Sequence, residues 1–348
     1  MLIGVDAGAL SITDERLRVG VWRVTYNLLK ELAKIDRINQ YRLYTFSPID
    51  REVMRSFGPR LRNVIVRPTI GWASIQLPIE LRLRPVDVFL GLSQMLPFTN
   101  AKKIGFIYDL GFLHFPDAYP GSLNKLKVQT RQVVERADQI ITISEVSKRD
   151  IVAQYGGDNI TVAYPGIDAR FIPKGAIHKE KNPYILFVGA LKRGKNVPFA
   201  LRVFKKFLEL SKKKYDFVIV GGNFWEDPGI RKEIVDRRLE GRVQIKGFVP
   251  DSDLPSYYRG AAALLVTSLW EGFCLPAVEA LASGCPVVYA KTGSLPEIVG
   301  NLGTGYTPGD IDKAVQALLQ PKKPHKLHVK YSWSRFARTV IKYYNGLQ

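Results

Sequence analysis

Cysteine is scarce in this chain, and the cysteines present do not suit a fold held by disulfides. Only Cys274 and Cys285 occur among 348 residues, and so few thiols are typical of a protein from a reducing compartment. Long apolar runs are also missing, since no stretch approaches the roughly 20 residues that span a bilayer. Asp6 stands where a signal peptide would need an apolar core. We therefore expect a globular protein in the cytoplasm.

Acidic residues are few relative to basic ones. The 32 Asp and Glu face 51 Lys and Arg, which gives a formal net charge of +19. Basic residues without any acidic residue mark the tail from Lys322 to Lys342. Such charge attracts polyanions, and no nucleic-acid-binding motif accompanies it. We expect an anionic membrane surface as partner and no nucleic acid; a basic surface that is merely solvated is the alternative.

The most informative stretch is Glu271–Tyr289, which lies between two apolar runs that predict buried strands. Pro276 suits the first helical position and Gly284 suits a helix stop, so a short helix is expected between them. Glu271 precedes this helix and Glu279 lies in it. A loop that leads from a parallel strand into a helix is a usual ligand site in α/β sheets.

The spelling Glu271-Gly-Phe-x-Leu-Pro-x-x-Glu279, followed by Gly284-x-Pro286-Val-Val, resembles the signature of retaining family-4 glycosyltransferases, the glycosyl transferases group 1. The resemblance implies the α/β fold called GT-B, with two Rossmann-like parallel-sheet domains facing across a cleft and a C-terminal helix that crosses back to the first domain. It implies that the first Glu contacts the transferred sugar and that the second holds the ribose. The loop implied to receive the donor diphosphate comprises Gly272, Phe273, Cys274 and Leu275.

Strand and helix signals alternate along the chain, which predicts parallel sheets. A Pro-Gly turn and a polar stretch mark a linker. We expect residues 1–172 to form the acceptor-side domain, residues 173–330 to bind the nucleotide-sugar donor, and residues 331–348 to form the returning helix.

The expected second domain opens with a strand followed by glycines and cations, from Gly189 to Lys195. Backbone amides and cations in such a loop suit a diphosphate. The spelling Gly-x4-Gly-Lys also fits a P-loop, except that Asn196 stands where Ser or Thr should hold Mg²⁺. The family resemblance implies instead that Lys195 and Arg193 hold the donor diphosphate. Further strand-end positions expected near the nucleotide are Gly222 and Val249.

Candidate acceptor-side residues lie in the first domain. Gly20 precedes a predicted helix, and Trp22 stands where the family usually has a second glycine, either as a stacking platform or as a core residue. Arg23 follows it. Tyr108 replaces the family's usual histidine at a strand end, and Asp109 is a candidate catalytic residue or a helix cap.

Two further polar motifs are predicted to start helices. Ser144 suits an N-cap. The spelling Asp251-Ser-Asp253 resembles a metal-binding pair, but the helix-like sequence after it favours an N-cap role. The resemblance implies no metal and no cofactor, because the nucleotide-diphosphate sugar is a substrate.

The resemblance predicts a retaining, metal-independent hexosyltransferase that uses a nucleotide-diphosphate sugar. The motif spellings weakly favour GDP-mannose. The acceptor is expected to be a glycan or a lipid-diphosphate-linked carrier, met at the inner face of the membrane. The alternatives are a P-loop-like nucleotidase and a GT-B protein that binds or epimerises a nucleotide sugar without transferring it.

Overall fold

A computed structural model describes residues 1–18, 20–222, 228–324 and 331–346. Lys326 and Lys330 of the basic tail therefore lie outside the described residues. The chain forms two compact units. Unit 1 comprises Met1–Leu110, Pro120–Gly166 and Tyr331–Gln348, and unit 2 comprises Gly111–Tyr119 and Ile167–Lys330.

The strands of the described residues form two sheets, one in each unit. They are β1 (Leu2–Asp6), β2 (Gln40–Thr45), β3 (Leu61–Ile65), β4 (Val88–Gly91), β5 (Lys102–Phe106), β6 (Gln139–Thr142), β7 (Ile160–Val162), β8 (Tyr184–Val188), β9 (Asp216–Val220), β10 (Val243–Gly247), β11 (Ala263–Val266), β12 (Val287–Ala290) and β13 (Thr304–Tyr306).

The α-helices of the described residues connect these strands. They are α1 (Val21–Ile35), α2 (Arg51–Phe57), α3 (Leu77–Leu83), α4 (Gly111–His114), α5 (Leu123–Arg136), α6 (Glu145–Tyr155), α7 (Val197–Leu210), α8 (Pro228–Asp236), α9 (Leu254–Gly260), α10 (Leu275–Ala282), α11 (Leu295–Ile298), α12 (Ile311–Leu319) and α13 (Trp333–Gly346).

Both sheets are parallel and doubly wound. The strand order is β3-β2-β1-β4-β5-β6-β7 in unit 1 and β10-β9-β8-β11-β12-β13 in unit 2. In each unit the chain reverses its direction of progress next to the first strand, β1 or β8. This order is that of a Rossmann fold, and ligands bind where it reverses, beyond the carboxyl ends of the strands. The predicted pair of Rossmann-like parallel sheets is confirmed.

Apolar periodicity explains the helices that cover the sheets. In α1 the residues Leu28, Leu29 and Leu32 are fully buried, as their helical spacing predicts. The hydroxyl of Ser144 accepts the amide of Ser147 at 3.1 Å and so caps α6 as expected. None of the helices in the described residues has the length and apolar character needed to cross a bilayer.

Helix α13 belongs to unit 1 and is attached there by a buried carboxylate. Asp36 Oδ2 accepts the hydroxyls of Tyr344 on α13 and Tyr41 on β2, each at 2.5 Å. Burial alone would raise the pKa of Asp36, but the hydrogen bonds from Tyr344, Tyr41 and Asn39 outweigh it, so the pKa lies far below its usual range. The predicted return of the last helix to the first domain is confirmed.

We expect Tyr344→Phe to destabilise the protein at neutral pH by about 1.5–3 kcal/mol, because it removes a hydrogen bond to a charged group. A depressed carboxyl pKa stabilises the fold fully above the unfolded value of about 3.9, and this stabilisation declines as pH falls towards the folded-state pKa. The effect of the substitution should therefore shrink in acid. Urea unfolding at neutral and acidic pH measures it.

The neighbouring Tyr343 offers the control for this prediction. Its hydroxyl lies 2.6 Å from the hydroxyl of Thr161, so Tyr343→Phe removes a hydrogen bond between neutral groups. The loss in Tyr343→Phe should not depend on pH. An equal pH dependence in both variants would contradict the role given to Asp36.

Candidate donor site

The candidate site in unit 2 is formed by the loops that follow β8 and β11. These strands are neighbours in the sheet, and their carboxyl ends lie where the strand order reverses. The β8 loop ends in a single 3-10 turn, Arg193–Lys195, before α7 begins. The β11 loop leads through Glu271 into α10. Two segments far apart in sequence thus meet at the position where such sheets bind ligands.

Lys195 and Glu271 form an ion pair at this meeting point. Lys195 Nζ lies 2.5 Å from Glu271 Oε1, and the two side chains are only 19% and 11% exposed. The hydroxyl of Ser268 donates to the same carboxylate oxygen at 2.6 Å. One oxygen therefore holds a cation and a hydroxyl together.

The charge state of Glu271 follows from these contacts. Burial would raise the pKa of Glu271, but the charge of Lys195 and the hydrogen bonds from Lys195 and Ser268 outweigh burial and lower the pKa. The carboxylate is therefore ionised at neutral pH. An ionised carboxylate can accept hydrogen bonds from ligand hydroxyls but cannot donate one.

Hydrogen bonds between the two loops fix the position of the pair. Thr267 Oγ1 donates to the Lys195 carbonyl at 2.9 Å, and the Leu269 amide donates to the Gly194 carbonyl at 2.9 Å. The Glu271 carbonyl accepts the amide of Ser294 at 2.9 Å. Gly293, at φ +52°, has to lack a side chain because a Cβ there would lie 2.5 Å from the Glu271 carbonyl oxygen.

The loop into α10 has an unusual backbone. Cys274 adopts a left-handed conformation with φ +70° directly before the helix. The helix begins at Leu275, so Pro276 is its second residue and not the predicted first. Gly272 and Phe273 are buried in the same loop.

Glu279 lies inside α10 and is only 4% exposed. Its Oε2 accepts the hydroxyl of Tyr258 on α9 at 3.0 Å. A carboxylate rarely remains so buried unless its oxygens have partners. The predicted ribose contact therefore falls on a residue that also joins two helices.

The remaining donor-side candidates lie around the ends of β8, β9 and β10. Gly189 directly follows β8, and its amide donates to the Val220 carbonyl at 2.9 Å. The carbonyl of Gly222 accepts the Leu191 amide at 3.3 Å. Val249 is half-buried and Arg193 is exposed. The structure thus brings Lys195 and Glu271 into direct contact, while the exposed Arg193 is the first residue of the 3-10 turn that ends at Lys195.

Sequence reasoning missed an aromatic contact next to Glu271. The rings of His114 and Trp270 stack with centroids 3.7 Å apart and planes at 17°. His114 belongs to Gly111–Tyr119, the segment that unit 2 takes from the first half of the chain. Ala118 of the same segment lies beside Gly194. No local pattern signals such a contact, because it joins residues distant in sequence.

The acceptor-side candidates all lie in unit 1. Gly20 directly precedes α1 with φ +41°, and Trp22 is 9% exposed and stacks on Tyr26 with centroids 5.1 Å apart. The burial of Trp22 favours a core role. Arg23 is half-buried on the same helix.

Tyr108 and Asp109 follow β5 and are half-buried. The Tyr108 hydroxyl donates to the Leu92 carbonyl at 2.7 Å. Leu110 stands between Asp109 and the first residue of α4.

Of the residues expected to cap helices, Asp253 occupies the N-cap position of α9, but its side chain makes no capping hydrogen bond. That part of the prediction was wrong, because Asp253 has a helical backbone conformation and accepts the Ser252 hydroxyl instead.

Within the described ranges, no three His, Cys, Asp or Glu side chains are grouped closely enough to hold a metal ion. The site therefore consists of an ion pair, glycine-containing loops and the start of a helix. Such an arrangement can bind a diphosphate through cations and backbone amides and a sugar through a carboxylate.

Comparison with known proteins identifies the region that carries this site. Residues 168–331 match the family described as Glycosyl transferases group 1. The O-antigen chain mannosyltransferase B of Escherichia coli is 26% identical over 245 residues, which are 67% of this chain and 64% of that protein. The O-antigen chain mannosyltransferase RfbU of Salmonella typhimurium is 28% identical over 261 residues, 69% of this chain and 71% of that protein. The chain thus spans less than two thirds of the Escherichia coli relative.

Solved structures share the fold along nearly the whole chain. A sucrose-phosphate synthase from Thermosynechococcus elongatus has a TM-score of 0.77 at 16% identity. The superposition covers 99% of this chain and 98% of the synthase chain. HepE from Anabaena, solved with UDP and glucose, has a TM-score of 0.73 at 16% identity and covers 99% of both chains. The predicted GT-B fold is confirmed.

Proposed function

We propose that this chain transfers a hexose from a nucleotide-diphosphate sugar to a glycan or lipid-linked acceptor, because residues 168–331 match the Glycosyl transferases group 1 family. The observation that carries the proposal is the buried contact between Lys195 and Glu271 at the reversal point of the unit 2 sheet. The family match disfavours the P-loop nucleotidase, whose missing hydroxyl at Asn196 already counted against it.

We assign the chemistry to charge stabilisation and positioning. When the bond between the anomeric carbon and the diphosphate breaks, negative charge develops on the leaving phosphate, and Lys195 with Arg193 neutralises it. The Glu271 carboxylate accepts hydrogen bonds from the hydroxyls of the sugar. The backbone amides of the loop Gly272–Leu275 donate hydrogen bonds to the diphosphate. We propose retention at the anomeric carbon, with the acceptor hydroxyl attacking from the face that the diphosphate leaves, and no metal or cofactor.

The donor and the acceptor are proposed from the relatives. Two of them are named O-antigen chain mannosyltransferases, which supports mannose as the sugar and GDP as its carrier. The net charge of +19 supports an acceptor presented at an anionic membrane surface on the cytoplasmic side.

A thermal-shift panel tests donor binding without any acceptor. GDP, UDP and ADP are added with and without Mg²⁺ to the wild type and to Glu279→Gln. One nucleoside diphosphate should raise the melting temperature. At a concentration of about a hundred times Kd, ligand binding adds about 2.7 kcal/mol to the free energy of unfolding. This shift should not need Mg²⁺ and should be smaller in Glu279→Gln, because one of the two oxygens that can accept a ribose hydroxyl is replaced by an amide NH₂ group.

Glu209→Ala is the matched control for this panel, because Glu209 is an exposed glutamate on α7 whose partner is Lys205 on the surface. Its nucleotide shift should equal that of the wild type. If no nucleoside diphosphate stabilises the wild type, the donor assignment is wrong.

A further inference from the structure

Exposed aliphatic side chains are concentrated in one stretch of unit 1 between β3 and β4. Ile70, Ile75, Ile79 and Leu83 are 84%, 53%, 51% and 74% exposed. Isolated exposed aliphatic residues are ordinary, but several along one short stretch indicate a surface that binds something.

The helix geometry places part of this stretch on one face. Leu77 and Leu81 of α3 are buried, at 0% and 3% exposure, and attach the helix to unit 1. Ile79 and Leu83 are four residues apart and share the opposite side of the same helix. Helix α3 is therefore apolar on its buried side and on its outer side, which the core of unit 1 alone does not require.

Arginines border the aliphatic stretch. Arg82 and Arg84 are exposed at the end of α3, and Arg42 donates to the Arg84 carbonyl at 3.0 Å. Arg62 is exposed and is the register neighbour of Arg42 in the sheet. The acidic residue of the helix, Glu80, is paired with Arg84 at 3.1 Å. The border of the stretch is therefore positively charged.

We propose that this α3 surface, formed by Ile70, Ile75, Ile79, Leu83, Arg62, Arg82 and Arg84, binds an anionic lipid bilayer. The aliphatic side chains would enter the boundary between headgroups and acyl chains, and the arginines would pair with headgroup phosphates. The exposed apolar residues are isoleucine and leucine, whereas protein interfaces are enriched in aromatic anchors. The inference extends the proposed membrane-presented acceptor, but its test measures lipid binding and not transfer.

Co-sedimentation with vesicles tests the α3 surface. Phosphatidylcholine vesicles with and without phosphatidylglycerol are compared for the wild type and for Ile79→Ser/Leu83→Ser. The double variant should bind the anionic vesicles about tenfold or more weakly, because two apolar side chains no longer leave water. Arg62→Gln/Arg82→Gln should bind about tenfold or more weakly and lose the preference for anionic vesicles.

The matched control is Ile38→Ser/Leu210→Ser, which removes two aliphatic side chains that are 87% and 52% exposed elsewhere. It should bind vesicles like the wild type. Melting temperatures and nucleotide shifts should be equal in all these proteins, so lipid binding and donor binding can fail separately. Wild-type vesicle binding by a folded Ile79→Ser/Leu83→Ser would overturn the proposal. A second outcome would also overturn it: neither the wild type nor any variant binds vesicles, and sedimentation equilibrium shows a dimer that is lost only in Ile79→Ser/Leu83→Ser.

Discussion

Replacing Lys195 with alanine should lower the rate of sugar transfer by about 10²–10³-fold, the usual cost of removing one preorganised charge or donor from a developing anion. The side chain is held at the end of β8 by Glu271 before any donor arrives. No reorganisation is then needed when the phosphate leaves. Initial transfer rates with the donor identified by the thermal-shift panel measure the effect.

The stability of this variant separates catalysis from folding. Loss of Lys195 leaves the Glu271 carboxylate buried with Ser268, which should cost about 1–3 kcal/mol. The expected loss of transfer corresponds to a barrier increase of about 2.7–4 kcal/mol, so the rate is compared under conditions in which the variant is fully folded. The variant Lys195→Met/Glu271→Gln removes both charges and should regain stability without regaining transfer.

Lys205→Ala is the control for Lys195→Ala, because Lys205 is a half-exposed lysine on α7 in a surface ion pair and such pairs contribute little. Its rate and stability should match the wild type. Transfer by Lys195→Ala at the wild-type rate would remove the main support for the proposed function.

Replacing Gly221 with alanine should destabilise unit 2 by about 3 kcal/mol or more. A Cβ at this position would lie 1.9 Å from the carbonyl oxygen of Gly189. The Gly189 oxygen is a backbone atom and the added Cβ is bonded directly to the backbone, so no side-chain rotation relieves the clash. The end of β9 and the loop after β8 would have to separate, and this loop carries Lys195. Urea unfolding measures the loss, and nucleotide binding should weaken with it.

Gly241→Ala provides the comparison in the same unit. Its added Cβ would meet no atom within 4 Å, and its backbone does not need glycine. We expect a neutral or slightly stabilising effect, because alanine restricts the unfolded chain. Equal destabilisation in the two variants would show that the close approach to Gly189 is not the cause.

Local patterns predicted most of the fold. The two apolar runs that flank the Glu271 loop and α10 became β11 and β12, and Ser144 caps α6 as its position suggests. Pro276 and Gly284 predicted where α10 lies, and the predicted start was wrong by one residue. These features depend on neighbours within a few residues, which a sequence displays directly.

Contacts between distant residues could not be predicted in the same way. Lys195 and Glu271 are 76 positions apart, and their pairing depends on which strands are neighbours in the sheet. The stack of His114 on Trp270 has no local signal at all. At Asp253 a local pattern predicted an interaction that does not form. Aspartate is favoured at an N-cap, but Asp253 has a helical backbone conformation and its carboxylate accepts the Ser252 hydroxyl.

The order of segments in unit 1 has a consequence for biosynthesis. A ribosome produces residues 1–166 first, but Tyr344 and the rest of α13 follow only after the whole of unit 2. Until then Asp36 lacks one of its tyrosine partners, and the surface that α13 covers remains open. The first unit to be translated is thus the last to be completed, while unit 2 can close its sheet beforehand.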